Sequence, residues 1–194
     1  MTAQESAPSD EALALRAQQG ESHAFELLIH RHKSALYRVM RRYIGDADEA
    51  YDLLQEALIA VWEGLHRYDV RRSFLAWTHV IALNKCRDFS RRRRIRRLML
   101  DAFASEPVDT TSAAPTEPDE THLIAMQQEQ RLRRLEEAIA ALPPLYKEPL
   151  VLTTAGGLSQ ESAAEVLKTT TKAIEMRLRR ARAQLRQALT PPEG

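Results

Sequence analysis

Apolar residues recur at intervals of three and four along two long stretches of this chain, on either side of an acidic stretch with prolines at positions 107, 115 and 118. Such spacing places the apolar side chains on one face of an α-helix. Gly accounts for only six of the 194 residues, whereas Ala, Leu, Arg, Gln and Glu are abundant, so the composition also favours helix. We therefore predict an all-α protein with two small helical domains, residues 10–98 and 122–190. A flexible acidic linker of residues 99–121 joins them, and residues 1–9 form a disordered tail.

Charge is sorted into blocks along the chain. The formal net charge is only +1, but residues 98–130 contain no Lys or Arg and seven acidic residues. Residues 87–97 contain seven arginines. Sorting of this kind indicates a local contact with nucleic acid rather than a uniformly basic protein.

The C-terminal stretch has the pattern of a helix-turn-helix. Ser159 can cap a helix that runs to about Leu167, the threonines at 169–171 form a turn, and a last helix runs to about Leu189. Ile174, Leu178 and Leu185 would face the core. The side chains predicted to face outward are Lys172, Glu175, Met176, Arg179, Arg180 and Arg182. In a major groove Arg can bridge guanine O6 and N7, and Glu can accept from cytosine N4. The alternative is a solvated Arg-rich helix with a chance capping pattern.

A second amphipathic helix begins at Asp46, with Glu49 three residues on as in a capping box. Its apolar stripe is predicted to be buried and comprises Leu53, Leu54, Ala57, Leu58, Val61, Trp62 and Leu65. The opposite face carries Asp52, Gln55, Glu56, Ile59 and Glu63. An acidic helical block placed ahead of a helix-turn-helix indicates that the chain also holds a protein partner.

The arginine run at residues 91–94 follows a helix that Ser73 is placed to cap and that we expect to end near Arg97. Aromatic and amide side chains lie just upstream: Phe74, Trp77, His79, Asn84 and Phe89. Rings beside positive charge suit single-stranded or melted DNA, because bases stack on rings and the backbone follows the charge. Most of these rings could equally belong to the core, as we favour for Trp77, and the arginine run could be a solvated face, a localisation signal or a tail.

Nothing in the sequence indicates catalysis. There is no Gly-rich phosphate loop, nucleophile elbow or HExxH motif. His30 and His32 point apart on a helix, and His79 with Cys86 lacks further ligands at metal-binding spacing. We predict a protein that is not an enzyme and has no metal or cofactor. The single Cys, the polar first ten residues and the lack of an 18-residue apolar run predict a cytoplasmic location.

Several motifs resemble region 2 of a bacterial sigma factor: the Asp52-Leu-Leu-Gln55-Glu56 block with Trp62, the residues 73–77, Asn84 and the arginine run. Leu142-Pro143-Pro144, residues 157–161 and residues 177–182 resemble region 4. Only an acidic linker separates the two, as in the extracytoplasmic-function class (group IV) of the sigma-70 family. The resemblance covers nearly all of the chain that we expect to be ordered.

The resemblance implies a transcription initiation factor that binds core RNA polymerase, recognises a −35 element as duplex and melts a −10 element. It also implies control by an anti-sigma factor, and we expect a monomer when the protein is free of partners. The residues implied to bind core polymerase are Asp52, Gln55, Glu56 and Ile59. Those implied to contact −10 DNA are Tyr68, Asp69, Arg71, Ser73, Phe74, Trp77, Asn84, Arg87, Arg91, Arg92, Arg93 and Arg94. Those implied to contact −35 DNA are Thr171, Lys172, Glu175, Met176, Arg177, Arg179, Arg180 and Arg182.

Three positions depart from the family pattern. Lys168 replaces the usual Gly before the turn, so a slightly different turn geometry is expected. Glu175 and Met176 stand where a basic residue and Ser are frequent, which predicts a different −35 sequence. Pro149 predicts a kink or a late helix start, because it has no backbone N–H to donate.

Two other functions fit parts of the sequence. The first is an ordinary helix-turn-helix repressor or activator that dimerises through its N-terminal helices and binds intact duplex without polymerase. The second is an interaction protein that competes for polymerase or for an inhibitor without initiating transcription.

Overall fold

The computed structural model describes residues 8–103 and 120–190, and within these ranges the chain is helical and has no β-strand. The elements are α1 (Asp10–Gln18), α2 (Ser22–Ile44), α3 (Ala47–Gly64), a 3-10 turn (Leu65–Arg67), α4 (Phe74–Phe103), α5 (Glu120–Ala141), α6 (Pro144–Thr154), α7 (Gln160–Val166) and α8 (Thr171–Leu189). The all-α prediction is confirmed. The predicted disorder of residues 1–9 and the flexibility of the linker concern residues that lie mostly outside the described ranges.

Most of the helices begin where the sequence places a capping side chain. Asp46 Oδ1 accepts from Glu49 N at 3.0 Å, and Ser73 Oγ accepts from Ala76 N at 3.2 Å. Each bond satisfies a backbone N–H that the first helical turn leaves without a partner. α2, by contrast, has Glu21 at its N-cap position and no capping bond from that side chain. Gly45 ends α2 with φ +86°, a left-handed conformation that suits Gly.

Two helix bounds differ from the prediction. α4 continues to Phe103, six residues beyond the expected end at Arg97, so residues 99–103 are helix and not linker. No Gly or Pro interrupts this stretch, and its Leu, Met and Ala are good helix formers. α6 begins at Pro144 and runs through Pro149, so of the two outcomes predicted at Pro149 the late start is excluded and the kink stays a prediction. Residues 147–152 are all buried, and this packing holds the helix in place.

The apolar core has two parts. A smaller part lies among α1, the first half of α2, the end of α3 and the start of α4, and includes Leu13, Leu28, Val61 and Phe74. The larger part continues from the second half of α2 and α4 into α6, α7 and α8. The two sequence-defined domains therefore pack directly against each other, a point that the sequence left open.

Trp62 lies at the surface and not in the predicted buried stripe of α3. Its side chain is 46% exposed and packs edge-on against Phe25, with 4.7 Å between ring centroids. The prediction for Trp62 is wrong because this residue lies at the edge of the stripe, on the same side of α3 as the exposed Tyr51 and Gln55, whereas Val61 and Leu65 are buried. The other members of the stripe are buried, except Leu58, which is half-buried.

Across residues 8–103 and 120–190, no helix combines the length and the apolar character that crossing a membrane requires.

Candidate nucleic-acid and polymerase interfaces

α7 and α8 form the predicted helix-turn-helix. Between them Lys168 has φ +49°, the left-handed conformation that Gly would adopt at this position. The amide of Lys168 donates to Glu165 O at 3.1 Å, and that of Thr169 donates to Ala164 O at 2.9 Å. These bonds close α7 as a left-handed helix end does. Thr170 Oγ1 then accepts from Ala173 N at 3.2 Å and caps α8. Lys168 therefore adopts the left-handed conformation in spite of its side chain.

α8 presents one buried face and one charged face. Ile174, Leu178 and Ala181 are buried against the core, and Leu185 is half-buried. The six side chains predicted to face outward are all exposed: Lys172, Glu175, Met176, Arg179, Arg180 and Arg182. Thr171 and Arg177 are half-buried at the edges of this face. A charged, capped helix exposed along its length can enter a major groove.

The aromatic residues before the arginine run form a cluster of rings. Phe74 is only 2% exposed, and Tyr68 is also buried; their ring centroids lie 5.4 Å apart. Trp77 is half-buried against Tyr68, with 4.8 Å between centroids. The Tyr68 hydroxyl donates to Arg72 O, and burial raises its pKa to about 12. Direct base contact by Tyr68 or Phe74 is therefore not available in this structure, because other side chains cover both rings.

The loop that these rings support keeps its polar side chains at the surface. Asp69 accepts from the backbone N, Nε and Nη2 of Arg71 at 3.0 to 3.1 Å. These hydrogen bonds lower the pKa of Asp69 to about 2. Arg71 and Ser73 are exposed, so this loop can still meet a DNA strand.

The arginines of α4 fall into two groups. Arg91, Arg92, Arg93 and Arg94 are exposed, and Arg91 donates to Asp88 at 2.9 Å. Arg87 instead donates from Nε and Nη2 to the two carboxylate oxygens of Glu148 in α6, both at 2.7 Å. It also donates to the exposed Asn84 at 3.2 Å. Arg87 was predicted to contact DNA; its side chain is 44% exposed, but its guanidinium is bonded to the carboxylate of Glu148 in this structure.

The predicted polymerase face of α3 is exposed. Asp52, Gln55, Glu56 and Ile59 all lie at the surface, and Ile59 is 59% exposed. Glu56 also accepts from Lys85 Nζ at 3.1 Å. Beside this face, α2 and α3 enclose a groove of about 510 Å³, which Tyr37, Tyr51 and Leu58 help to line.

Sequence reasoning missed two apolar members of this face. Tyr51 is 55% exposed, and Trp62 is exposed as well. Tyr51, Gln55, Ile59 and Trp62 follow one another at intervals of four, four and three, so helical spacing could have identified them. Exposed aromatic and apolar side chains among acidic ones indicate a surface for a protein partner.

Family models match both halves of the chain in the predicted order. The sigma-70 region 2 model matches residues 28–97, and the sigma-70 region 4 model matches residues 132–185. The chain belongs to the sigma-70 family of RNA polymerase sigma factors. It is therefore a transcription initiation factor, as the sequence motifs predict.

Relatives place this sigma factor in the extracytoplasmic-function class. The RNA polymerase sigma factor NccH of Alcaligenes xylosoxydans xylosoxydans is 35% identical over 176 residues, which cover 91% of this chain and 92% of NccH. The ECF RNA polymerase sigma factor SigW of Bacillus subtilis is 25% identical over 178 residues, covering 90% and 93% of the two chains. A solved structure of CnrH in complex with the cytosolic domain of CnrY superposes with a TM-score of 0.68 at 32% identity, covering 93% of this chain and 96% of CnrH.

The His and Cys side chains that could serve as metal ligands or nucleophiles do not come together in one site within the described ranges. Within the described ranges, no three His, Cys, Asp or Glu residues are grouped so that they could hold a metal ion. Cys86 is buried, and burial raises the pKa of its thiol to about 12, so the thiolate is disfavoured. His79 is buried with Nδ1 2.7 Å from Leu75 O, and burial lowers the pKa of its imidazole.

Proposed function

We propose that this sigma factor reads the −35 element with the exposed face of α8, captures the −10 element with the residue 68–94 segment, and docks on core polymerase through α3. The exposed arginines of α8, on a capped recognition helix, are the observation that carries this proposal. The protein acts in the cytoplasm as a specificity subunit and has no catalysis of its own.

At the −35 element, the side chains of the first three turns of α8 read bases. Arg179 and Arg180 can each bridge guanine O6 and N7, and Glu175 can accept from cytosine N4. Lys172, Arg177 and Arg182 contact phosphates in this proposal, and such contacts set the register of the helix on the duplex. Thr171 and Met176 complete the surface that faces the duplex.

At the −10 element, the loop of residues 68–73 shapes a pocket for a flipped base, and the arginines at 91–94 track the backbone. Burial of Tyr68 and Phe74 makes them supports of this loop, whereas Asp69, Arg71, Ser73 and Asn84 present polar groups near the strand. Flipping a base costs a few kcal/mol of unstacking, which these contacts offset. Trp77 is half-buried and can offer one edge of its ring to a base.

On the polymerase side, the exposed Ile59 is surrounded by the polar and acidic side chains of Asp52, Gln55 and Glu56. This surface is complementary to a groove on core polymerase that is basic at its rim and apolar at its centre. A charged rim around an apolar contact is the usual organisation of a protein interface. The solved complex of CnrH with the cytosolic domain of CnrY supports a second protein partner, an anti-sigma factor that controls access to these surfaces.

Run-off transcription on a genomic DNA library, with core RNA polymerase and with or without this protein, tests the proposal. Discrete start sites that depend on the protein and share two upstream motifs are expected. The double variant Arg179→Ala/Arg180→Ala should lose these starts yet still form a complex with core polymerase. Binding to a palindromic duplex in the absence of polymerase, with no new transcripts, would contradict the proposal and indicate a simple DNA-binding regulator. A stable complex with core without transcripts would indicate a competitor.

A further inference from the structure

The loop of residues 68–73 is held at its first residue by a side chain from α1. One amide nitrogen, Nε2 of Gln18, donates to Leu65 O at 2.9 Å and to Tyr68 O at 2.8 Å. A side-chain amide nitrogen carries two hydrogens, so each carbonyl oxygen receives one of them. The two carbonyls belong to the first residue of the 3-10 turn and to the residue that follows it. Gln18 therefore joins α1 to the point where the loop begins, 50 residues further along the chain.

α1 is anchored to the rest of the protein independently of Gln18. Asp10 at its start accepts from Arg31 at 3.0 Å and lies 2.5 Å from His32 Nε2, and both partners belong to α2. The apolar side chains of α1 that are buried are Leu13, Ala14 and Ala17. A substitution at residue 18 that keeps the length of the side chain leaves these contacts in place. Its effect is therefore confined to the end of the 3-10 turn and the start of the loop.

The bonds within the loop depend on the direction in which the chain leaves Tyr68. The carbonyl oxygen of Tyr68 and the amide of Asp69 share one planar peptide group, so a bond to the oxygen fixes the plane from which the loop starts. The Tyr68 hydroxyl donates to Arg72 O, and the Arg72 amide donates to Asp69 O at 3.0 Å. Ser73 then caps α4. Gln18 thus holds the first peptide of a loop whose other bonds are local.

We propose that Gln18 is a positioning residue for the −10 loop. By holding the two carbonyl oxygens, it sets the direction in which the loop presents Asp69, Arg71 and Ser73 to the DNA strand. This role rests on the function proposed above, because it needs the loop to meet the −10 element. α1 lies outside residues 28–97, the part of the chain that the sigma-70 region 2 model matches.

Loss of this support should affect base discrimination more than overall affinity. A flipped base is read by hydrogen bonds to its edge, and hydrogen bonds weaken steeply when they are misaligned. The attraction between the exposed arginines at 91–94 and phosphates does not depend on sequence. A loop that starts in a different direction should therefore lose its preference between bases and keep most of its attraction for a strand.

Gln18→Glu in the full-length protein is the first test, with Gln19→Glu as the matched control. Glutamate has the size of glutamine, but an ionised carboxylate has no hydrogen to donate to either carbonyl. Gln19 is exposed, so the control adds the same charge one residue away. Each variant, bound to core polymerase, selects from a library of 20-nucleotide single strands with six randomised central positions, and the bound strands are sequenced.

The unmodified protein and Gln19→Glu should select the same motif with the same preference. In Gln18→Glu, the preference at the most strongly selected position should fall by about 5-fold or more, the smallest effect expected of one recognised base. The total amount of strand bound should match that of the control.

Two further variants separate the hydrogen bonds from packing and charge. Gln18→Lys places an ammonium, which can donate to both carbonyls, at a similar reach and should retain most of the preference. Gln18→Met has a similar length but no donor and should lose the preference as Gln18→Glu does. This pair gives the same comparison even if Gln18→Glu does not fold.

An equal fall in Gln18→Glu and Gln19→Glu would reduce the effect to charge and overturn the inference. Weaker binding of all strands with an unchanged preference would also overturn it, because Gln18 would then contribute stability and not positioning. Equal preferences in Gln18→Lys and Gln18→Met would exclude the carbonyl bonds as the cause. If the unmodified protein with core polymerase selects no motif, the proposed −10 function fails; if it selects a motif that every Gln18 variant retains, only the inference about Gln18 fails.

Discussion

Gly156 lies so close to His79 that a β-carbon at residue 156 would stand 2.7 Å from the imidazole Nε2. The same β-carbon would lie 2.7 Å from Leu152 O and 3.0 Å from Val39 Cγ2. The turn between α6 and α7 thus packs on α2 and α4 with no room for a side chain. A substitution at residue 156 therefore tests whether this packing is present in solution.

Gly156→Ala should destabilise the protein by about 1 to 3 kcal/mol, the usual cost of forcing an extra methyl into a packed site. In a His79→Ala background the cost should be smaller, because the methyl can enter the space that the ring leaves. Urea unfolding of the two single variants and the double variant measures this coupling. Additive costs would show that residues 156 and 79 are not in contact in solution.

Lys168→Gly should stabilise the helix-turn-helix. The left-handed conformation costs an ordinary residue about 1 to 2 kcal/mol, whereas Gly adopts it freely. The greater freedom of Gly in the unfolded chain offsets part of the gain, so about 0.5 kcal/mol is expected to remain. Thermal unfolding checks this value. Lys168→Ala retains a β-carbon and is the control; a gain as large as that of Gly would argue against relief of backbone strain.

Arg179→Ala and Arg180→Ala should each weaken binding to a −35 duplex by about 1 to 3 kcal/mol if the arginine reads guanine, with relaxed specificity at one base pair. Arg186→Ala removes an exposed charge from the last turn of the same helix and is the matched control. Titration against a set of single-base variants of the duplex distinguishes a guanine contact from a phosphate contact. Uniform weakening across all sequences would reassign the residue to a phosphate contact.

Asp52→Arg should abolish binding to core polymerase and leave binding of the −35 duplex intact. The reason is that a positive charge would face the basic groove that the acidic surface of α3 is proposed to enter. Glu137→Arg makes the same kind of charge reversal at an exposed position of α5 and should bind core normally. Co-purification with core polymerase measures both; normal docking by Asp52→Arg would contradict the assignment of this face.

Stability should fall as the pH is lowered below about 6.5, the ordinary pKa of His. Burial lowers the pKa of His79 in the folded protein, so the unfolded chain takes up a proton at a higher pH than the folded chain does. The contribution of His79 is therefore complete above the unfolded pKa and is lost as pH falls toward the folded pKa. Unfolding free energies at pH 7.5 and 5.5 should differ less in His79→Gln than in the unmodified protein. If the change in unfolding free energy between the two pH values were the same in both proteins, His79 would not be held neutral by burial.

Local signals in the sequence predicted local structure well. Asp46, Ser73 and Ser159 cap helices as expected, because each bond joins residues only three apart and depends little on the rest of the chain. The two faces of α8 were likewise predictable, since helical periodicity alone separates Ile174 and Leu178 from Arg179 and Arg180.

Sequence reasoning is incomplete where a neighbour distant in sequence decides the surroundings of a side chain. Trp62 was expected inside and is exposed, because it lies at the edge of the stripe on the side of the exposed Tyr51 and Gln55, where the neighbouring α2 covers only part of its ring. Tyr68 and Phe74 were expected at a DNA surface and are buried against each other and the surrounding core. Arg87 has the composition and context of a phosphate ligand, but its partner is 61 residues further along the chain.

The sequence by itself determined the helical class, most helix starts, the charged face of the recognition helix and the order of the two sigma regions. Periodicity, capping side chains and motif spacing are short-range properties, and they need no knowledge of the fold. Only the tertiary structure decided that the two regions share one core, that Glu148 holds Arg87 and that Gly156 meets His79. These contacts depend on shape and burial summed over several helices, which no single stretch of sequence records.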